Sequence, residues 1–464
     1  MTSAPDDSAD SLKISRRATI AGEVRLPGSK SIANRALLLS ALARGRTRVS
    51  NLPIADDVQI LIQTLPQLGI EVSLPAGGEA DSGSQAAGVS AGDRLRSGTV
   101  TDLEIAGAAG PFAIERGEIN VENAGTAFRP LTALLAAGNG DFVIDGNAQM
   151  RERPIRDLVD GLRELGVDIE CEANGCPPVR LRARGLPGGA VTMSGKVSSQ
   201  YISAVLMASP FARQADLTID LPAEPVSKPY IDLTIDMMAD FGVMVGREGY
   251  RHFRTAAGQS YHSPGQYLIE GDASAATYFL GAGALPGCGP VRVLGLGRDS
   301  RQGDVAFAEL LREMGATVTY GDGWIETRGA SASRLRAIDR DMNDMPDAAM
   351  TAAVLALFAD GESHIRNIEN LRVKESERIR GLRLELEKLG ATVREESDAL
   401  HITPPEDGLR PARIETYKDH RMAMAFALAA FGTDLEILDP GCVAKTYTRF
   451  FEDFLPLTQA HAVS

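Results

Sequence analysis

Two patterns of apolar and polar positions alternate along the chain. The first is a helix end, a glycine, and then a short apolar–polar alternation: PQLGIEVSL, RELGVDIEC, ADFGVMVG, REMGATVTY and EKLGATVRE. Its glycines are Gly69, Gly166, Gly242, Gly315 and Gly390. Each suits the left-handed residue that closes a helix, and the alternation after it predicts a strand with one buried face. The second pattern is a polar cluster that opens an Ala/Leu-rich stretch: SKSIANRALLLSAL, GTAFRPLTALLAAG, SSQYISAVLMASPF, DASAATYFLGAGAL, PDAAMTAAVLALF and DHRMAMAFALAAF. These stretches are apolar on most sides, which predicts helices buried all round. Short strands such as DFVIDG, DLTIDLP, PVRVLGL and DLEILDP fall between the two patterns.

From the second copy onward both patterns return every ~73–76 residues, so the chain reads as one unit repeated six times. The first interval is longer, roughly 95–97 residues, and the segment PAGGEADSGSQAAGVSAGD intervenes there. Rich in Gly, Ala and Ser, the stretch near residues 75–98 reads as a loop insertion. A unit of this size closes its own core poorly, whereas three sharing their buried helices can. The 464 residues are therefore expected to form two α/β domains of three units each. The first spans 27–270; the second is 1–26 plus 271–464, with the N-terminal strand returning to complete it.

Composition narrows the function. A net charge of −14 disfavours broad binding to nucleic acid or anionic membranes, so anions must be met by locally gathered basic residues. No apolar run reaches the length of a membrane span. The start, MTSAPDDSADS, has neither the apolar core of a signal peptide nor the arginines of a transit peptide, so a cytoplasmic chain is expected. Cys171, Cys176, Cys288 and Cys442 form no CxxC pair and read as reduced structural thiols. The six histidines form no HExxH motif or other helical metal pair, so no metal and no cofactor is expected. LPGSKS lacks the rest of a nucleotide P-loop, GLGRDSRQG misses the GxGxxG spacing, and there is no GxSxG elbow.

Candidate chemistry collects at the starts of the buried helices. They read Lys30-Ser31, Asn123-Ala124-Gly125-Thr126, Ser198-Ser199-Gln200, Asp272-Ala273-Ser274, Pro346-Asp347 and Asp419-His420-Arg421. Helix N-termini offer free N–H groups and the positive end of the dipole to phosphates and carboxylates. Ser274 and Thr126 read equally well as simple N-caps. Lys30, Arg35, Arg153 and Arg421 do not, because a cation in a first turn opposes the dipole unless an external anion compensates it. Basic residues also mark the second helices: Arg153 in RERPIRD, Lys228 in SKPYID, Lys374 and Arg378 in RVKESER, and Lys445 in AKTY. Asp347 and Glu375 are the acid–base candidates, the latter flanked by Lys374 and Arg378 that would tune its ionisation.

LPGSKSIANRALLLSAL, NAGTAFRPL, RERPI, KVSSQY, VSKPYID, EGDASAA, MNDMPDAAM, RVKESERI, KDHRMAMAF and AKTYTRFFEDF follow one another in a fixed order. In these motifs, from about residue 13 to residue 455, the chain closely resembles the 5-enolpyruvylshikimate-3-phosphate synthase family. The resemblance implies two inverse α/β domains, each of three βαβαββ repeats, with the active site in the interdomain cleft. It implies transfer of the enolpyruvyl group of phosphoenolpyruvate to the 5-hydroxyl of shikimate 3-phosphate, through a tetrahedral intermediate, with release of phosphate. Lys30, Ser31, Arg35, Ser198, Ser199, Gln200, Ser227, Asp347, Asn370 and Lys374 would hold shikimate 3-phosphate. Lys30, Asn123, Gly125, Arg153, Gln200, Arg378, Arg421 and Lys445 would hold phosphoenolpyruvate. Asp347 would take the hydroxyl proton, and Glu375, assisted by Lys30, would protonate the methylene carbon.

Phosphate leaves such a reaction by C–O cleavage, so no Mg²⁺ is demanded. Gly125, Thr126 and Pro130 match the family's glyphosate-sensitive pattern, so competition between glyphosate and phosphoenolpyruvate is expected, in a monomer. The chain departs from the common SKSxSNR pattern at Ala33. Two other readings stay open at this point. One is the sister transferase acting on UDP-N-acetylglucosamine, which uses a loop cysteine and an N-terminal lysine–asparagine pair where this chain has Lys30-Ser31. The other is a catalytically silent binding homologue, which should have lost part of the acid, base or anion-binding set.

Overall fold

A computed structural model describes residues 10–75, 101–330 and 332–460. The insertion expected near residues 75–98 lies, beyond Pro75, outside the described residues. The chain forms two compact units that meet along the sequence at Leu26/Pro27 and Glu270/Gly271. No helix among the described residues is long and apolar enough to cross a membrane.

In the unit 27–270, one stretch displays the repeat without interruption. Strand Arg116–Asn120, helix Gly125–Ala136, strand Asn139–Asp145, helix Arg156–Glu164, strand Asp168–Cys171 and strand Val179–Arg184 follow in order. The first two strands pair in parallel, with Ile119 opposite Ile144. Val179–Arg184 then runs antiparallel to Asn139–Asp145 and to Asp168–Cys171. Along Val179–Arg184, Val179, Leu181 and Ala183 turn inward and Arg180, Arg182 and Arg184 outward, the alternation of a sheet with one wet face. The sheet built on Gly189–Thr192 and Leu217–Asp220 has the same pattern. So does the sheet of Arg46–Ser50, whose parallel partner Gln266–Leu268 comes from the far end of the unit.

The other unit repeats the scheme around sheets containing Val291–Leu294, Ser363–Arg366 and Leu435–Leu438. The N-terminal segment completes two of them. Gly22–Arg25 pairs in parallel with Val291–Leu294, and Ser11–Ile14 pairs antiparallel with Leu435–Leu438.

Each unit's core is made by its Ala/Leu-rich helices. Helix Lys30–Leu42 buries all but one of its residues, and helices Gly125–Ala136 and Ser199–Ala208 pack against each other. Consecutive Leu37, Leu38 and Leu39 are all fully buried, which only a helix covered on every side permits. Each such leucine contributes about 1.5–3 kcal/mol of burial free energy, which justifies placing these helices between sheets. In the second unit, helices Ala273–Ala284 and Ala349–Leu355 are joined by a buried hydroxyl pair, Thr277 with Thr351 at 2.9 Å. Gly69, Gly166, Gly242, Gly315 and Gly390 all have φ between 81° and 102°, the left-handed turn that lets the chain leave a helix and enter the next strand.

Candidate active site

In the unit 1–26 plus 271–464 the polar residues converge on one guanidinium. Arg378 opens helix Arg378–Lys388 and is 1 % exposed. Its Nη1 donates to Asp347 Oδ1 at 2.9 Å and its Nη2 to Glu375 Oε2 at 2.8 Å. Nε donates to Asp419 Oδ2 at 2.8 Å. Arg421 donates from Nη2 to Asp347 Oδ2 at 2.8 Å and from Nη1 to the Tyr278 hydroxyl at 3.3 Å. Asp347 therefore has one oxygen on each guanidinium, and Asp347 and Glu375 share Arg378.

The electrostatics follow from this geometry. Burial alone would raise the Asp347 carboxyl, but Arg421, Arg378 and Lys374 outweigh it and hold the group well below the usual carboxylate range. Burial likewise opposes the charge on Arg378, yet Asp419, Glu375 and Asp347 push its pKa above the usual guanidinium value. Asp304, near this network and fully buried, goes the other way. Burial, and then the negative charge of Asp347, push it up to about 6, despite a short hydrogen bond from the Ser274 hydroxyl.

Local sequence explains how the parts are presented. Asp419 caps helix His420–Phe426 by accepting from the Arg421 N–H at 3.0 Å, and it also accepts from the Ser376 hydroxyl at 3.0 Å. The approach to that cap runs through Tyr417 and Lys418, both with φ of 54°, an uncommon conformation for side-chain-bearing residues. Glu385, fully buried two turns along the helix that Arg378 begins, holds this approach in place. It accepts from the Glu415 N–H at 3.1 Å, the Tyr417 hydroxyl at 2.6 Å and Lys388 Nζ at 2.6 Å. One helix thus fixes both Arg378 and the segment that delivers Asp419 and Arg421.

The unit 27–270 is built differently. Lys30, first residue of its helix, pairs at 3.0 Å with Asp57, itself buried. Arg153 donates from Nη1 to Asn123 Oδ1 at 3.1 Å. Gly125 lies so close to two arginines that a Cβ there would stand 2.2 Å from Arg129 Nη1 and 3.0 Å from both Arg153 terminal nitrogens. Ser198 caps its helix by accepting from the Gln200 N–H at 3.2 Å, and the buried Gln200 Oε1 has no hydrogen-bond partner. Ser227 is buried with φ of 57°, and Lys228 pairs with Glu224 at 3.0 Å. Arg35 braces two helices: Nε donates to Thr234 Oγ1 at 2.8 Å and Nη1 to the Ser31 carbonyl at 3.0 Å. Burial lowers its pKa to about 10.

Several sequence expectations need correction. Only Lys30 and Arg421 stand in the first turns of buried helices. Arg35 is a turn further in, and Arg153 precedes helix Arg156–Glu164. Neither Ser274 nor Thr126 is an N-cap. Ser274 donates to Asp304, and Thr126 accepts from Asn34 Nδ2 at 2.5 Å, while Asp272 caps helix Ala273–Ala284. Lys445 ends a 3₁₀ turn, Pro440–Lys445, instead of marking a second α-helix; it and Asn370 are buried. Sequence reasoning missed Asp57, Asp304, Arg129, Tyr278 and Glu385; Asp57, Asp304, Tyr278 and Glu385 each meet a partner 27 or more residues away along the chain. Local signals were the GxxxR spacing of Gly125 and Arg129 and the three-residue spacing of Glu385 and Lys388, each about one helical turn.

The chain is similar to well-described proteins over nearly its whole length. The family described as EPSP synthase (3-phosphoshikimate 1-carboxyvinyltransferase) matches residues 14–84 and 94–454. A 3-phosphoshikimate 1-carboxyvinyltransferase of Bordetella parapertussis is 51% identical over 449 residues, covering 95% of this chain and 96% of the relative. One of Klebsiella pneumoniae is 48% identical over 446 residues, covering 96% and 98%. Among solved structures, an EPSP synthase of Acinetobacter baumannii superposes with a TM-score of 0.74 at 23% identity, over 97% of this chain and 98% of its own, a likeness of fold. These matches place the chain in the EPSP synthase (3-phosphoshikimate 1-carboxyvinyltransferase) family.

Proposed function

We propose that Asp347 and Glu375, assisted by Lys30, move the protons of the reaction this chain catalyses: transfer of the enolpyruvyl group from phosphoenolpyruvate to shikimate 3-phosphate, with release of phosphate. The observation that carries the assignment is the single buried guanidinium of Arg378 that holds both carboxylates, at 2.9 and 2.8 Å. Sharing one buried cation sets the separation of base and acid before the substrates bind.

As the anionic substrates take over donors of Arg378 and Arg421, Asp347 loses the cations that depress its pKa and becomes a stronger base. It accepts the proton of the 5-hydroxyl while that oxygen bonds to C2 of phosphoenolpyruvate and Glu375 gives a proton to C3. Return of a C3 proton to Glu375 then re-forms the double bond as the C–O bond to phosphate breaks. Arg378, Arg421 and Lys445 hold phosphoenolpyruvate together with Lys30, Asn123, Gly125, Arg153 and Gln200. Shikimate 3-phosphate is held by Lys30, Ser31, Ser198, Ser199, Gln200, Ser227, Asn370, Lys374 and Asp347, with Arg35 bracing the helix that presents Lys30 and Ser31. The idle, buried Gln200 Oε1 supports a ligand contact, because a buried acceptor without a partner costs free energy. Asp57 balances Lys30 until a substrate does.

The same reading makes the enzyme a cytoplasmic monomer inhibited by glyphosate in competition with phosphoenolpyruvate. Phosphate release from phosphoenolpyruvate and shikimate 3-phosphate tests it. Asp347→Asn and Glu375→Gln should each lower kcat by about 10²–10⁴-fold, the usual worth of a positioned acid or base. Near-parental kcat in either variant refutes that residue's role. Turnover with UDP-N-acetylglucosamine in place of shikimate 3-phosphate would point instead to the sister reaction.

A further inference from the structure

The sheet formed by Asp339–Asp341, Ser363–Arg366, Leu400–Thr403 and Thr392–Glu395 carries a histidine pair that the reaction does not use. His364 and His401 lie directly opposite each other on antiparallel strands, their rings 4.4 Å apart. Their neighbours Ile365, Leu400 and Ile402 fill the core. Glu362, one residue ahead of the strand, brings Oε2 to 3.0 Å from His364 Nε2. One ligand atom each from Glu362, His364 and His401 lie within 4.8 Å of one another.

His401 is the informative member. It is 9 % exposed, yet neither ring nitrogen makes a hydrogen bond. Glu396 Oε1 comes to 3.2 Å from its Nε2, but not in line for a hydrogen bond, and that carboxylate is already engaged by Arg394. A hydrogen bond accounts for His364 and Glu362. It leaves a buried imidazole whose two nitrogens make no hydrogen bond within the protein, a state that costs free energy unless a bound partner meets them.

We propose that Glu362, His364 and His401 form a binding site for a divalent first-row transition cation of the zinc class on the outer face of this sheet. Two imidazoles and one carboxylate are a donor set that such ions accept in tetrahedral geometry with water in the fourth position. Strand pairing presets the two imidazoles, and the bound ion would staple Ser363–Arg366 to Leu400–Thr403. Its role is structural, since these residues sit on elements other than those presenting Asp347, Glu375, Arg378 and Arg421.

The test uses the full chain after chelator treatment, titrated with Zn²⁺ by calorimetry and with Co²⁺ by visible absorption. One equivalent should bind, with a tetrahedral Co²⁺ band and a higher Tm. His364→Ala and Glu362→Gln, both at partly exposed positions, should each weaken binding at least tenfold and abolish the Tm rise, while phosphate release in the absence of added metal stays at the parental rate. Absence of saturable Zn²⁺ binding, or unchanged affinity in both variants, overturns the proposal.

Discussion

In the unit that contains Arg378, two guanidiniums are shared among three carboxylates, with Asp347 bridging them and Asp419 fully buried. In the unit that contains Lys30, the groups are spread out: one ion pair to Asp57, an arginine resting on the amide of Asn123, and a glycine pressed against two arginines. The first arrangement is a tuned electrostatic device, in which removing any member changes the ionisation of the rest. The second is a shaped cradle, in which space decides. Under the proposed roles, the two acid–base carboxylates belong to the unit that contains Arg378, and the unit that contains Lys30 adds a cradle whose shape limits which anion fits.

The sharpest way to break this contrast is Arg378→Ala. It removes the buried guanidinium that three carboxylates share, and breaking a buried pair from one side typically costs ~3–5 kcal/mol. Urea denaturation should report a loss of that size, and phosphate release should fall by at least about 10³-fold. A variant as stable as the parent would show that the network is not coupled.

Gly125→Ala tests the cradle. The added methyl must displace Arg129 Nη1, 2.2 Å away, and crowd Arg153. KM for phosphoenolpyruvate should rise by about tenfold, a cost of about 1.4 kcal/mol, with kcat and Tm little changed. A fall in kcat without a change in KM would place Gly125 in the chemistry instead.

Glu385→Gln probes how Asp419 and Arg421 are positioned. The amide can no longer neutralise Lys388 or accept as strongly from Tyr417. We expect kcat to fall by about fivefold with KM for both substrates nearly constant, because the defect lies in presenting Arg421, which pairs with Asp347. Larger losses in both parameters would mark a general folding defect.

Asp304→Asn should have the mildest effect, on stability alone. The folded carboxyl titrates at about 6 against an ordinary 3.8, so the folded state holds the proton more tightly. Stability contributed by this group is therefore present at low pH and is lost as pH rises from about 4 to 6. The variant should have a higher Tm than the parent at pH 7 and an equal one at pH 4. Equal Tm at both values would show that Asp304 is not buried in its charged form.

Patterns within a few residues were sufficient to determine the buried helices and the strands that follow the glycine exits. Apolar positions on every side of LLLSAL or AMAFALAAF leave burial as the only stable outcome, and glycine after an amphipathic helix end sets the left-handed exit seen at Gly69 and Gly390. The neighbourhood of Glu375 and Arg378 was legible too, because the two stand three residues apart, whereas Asp347, ahead of a buried helix, joins them only in the fold. Local sequence misread Ser274 and Thr126 as possible caps, since a hydroxyl near a helix start looks the same whether it bonds its own backbone or a side chain on another helix. Only the tertiary structure decided that Lys30 meets Asp57, that Glu385 pins Tyr417, and that His364 faces His401. Short-range spacing follows from backbone geometry alone, whereas these contacts depend on strand register and on how separate helices stack, which no local stretch encodes by itself.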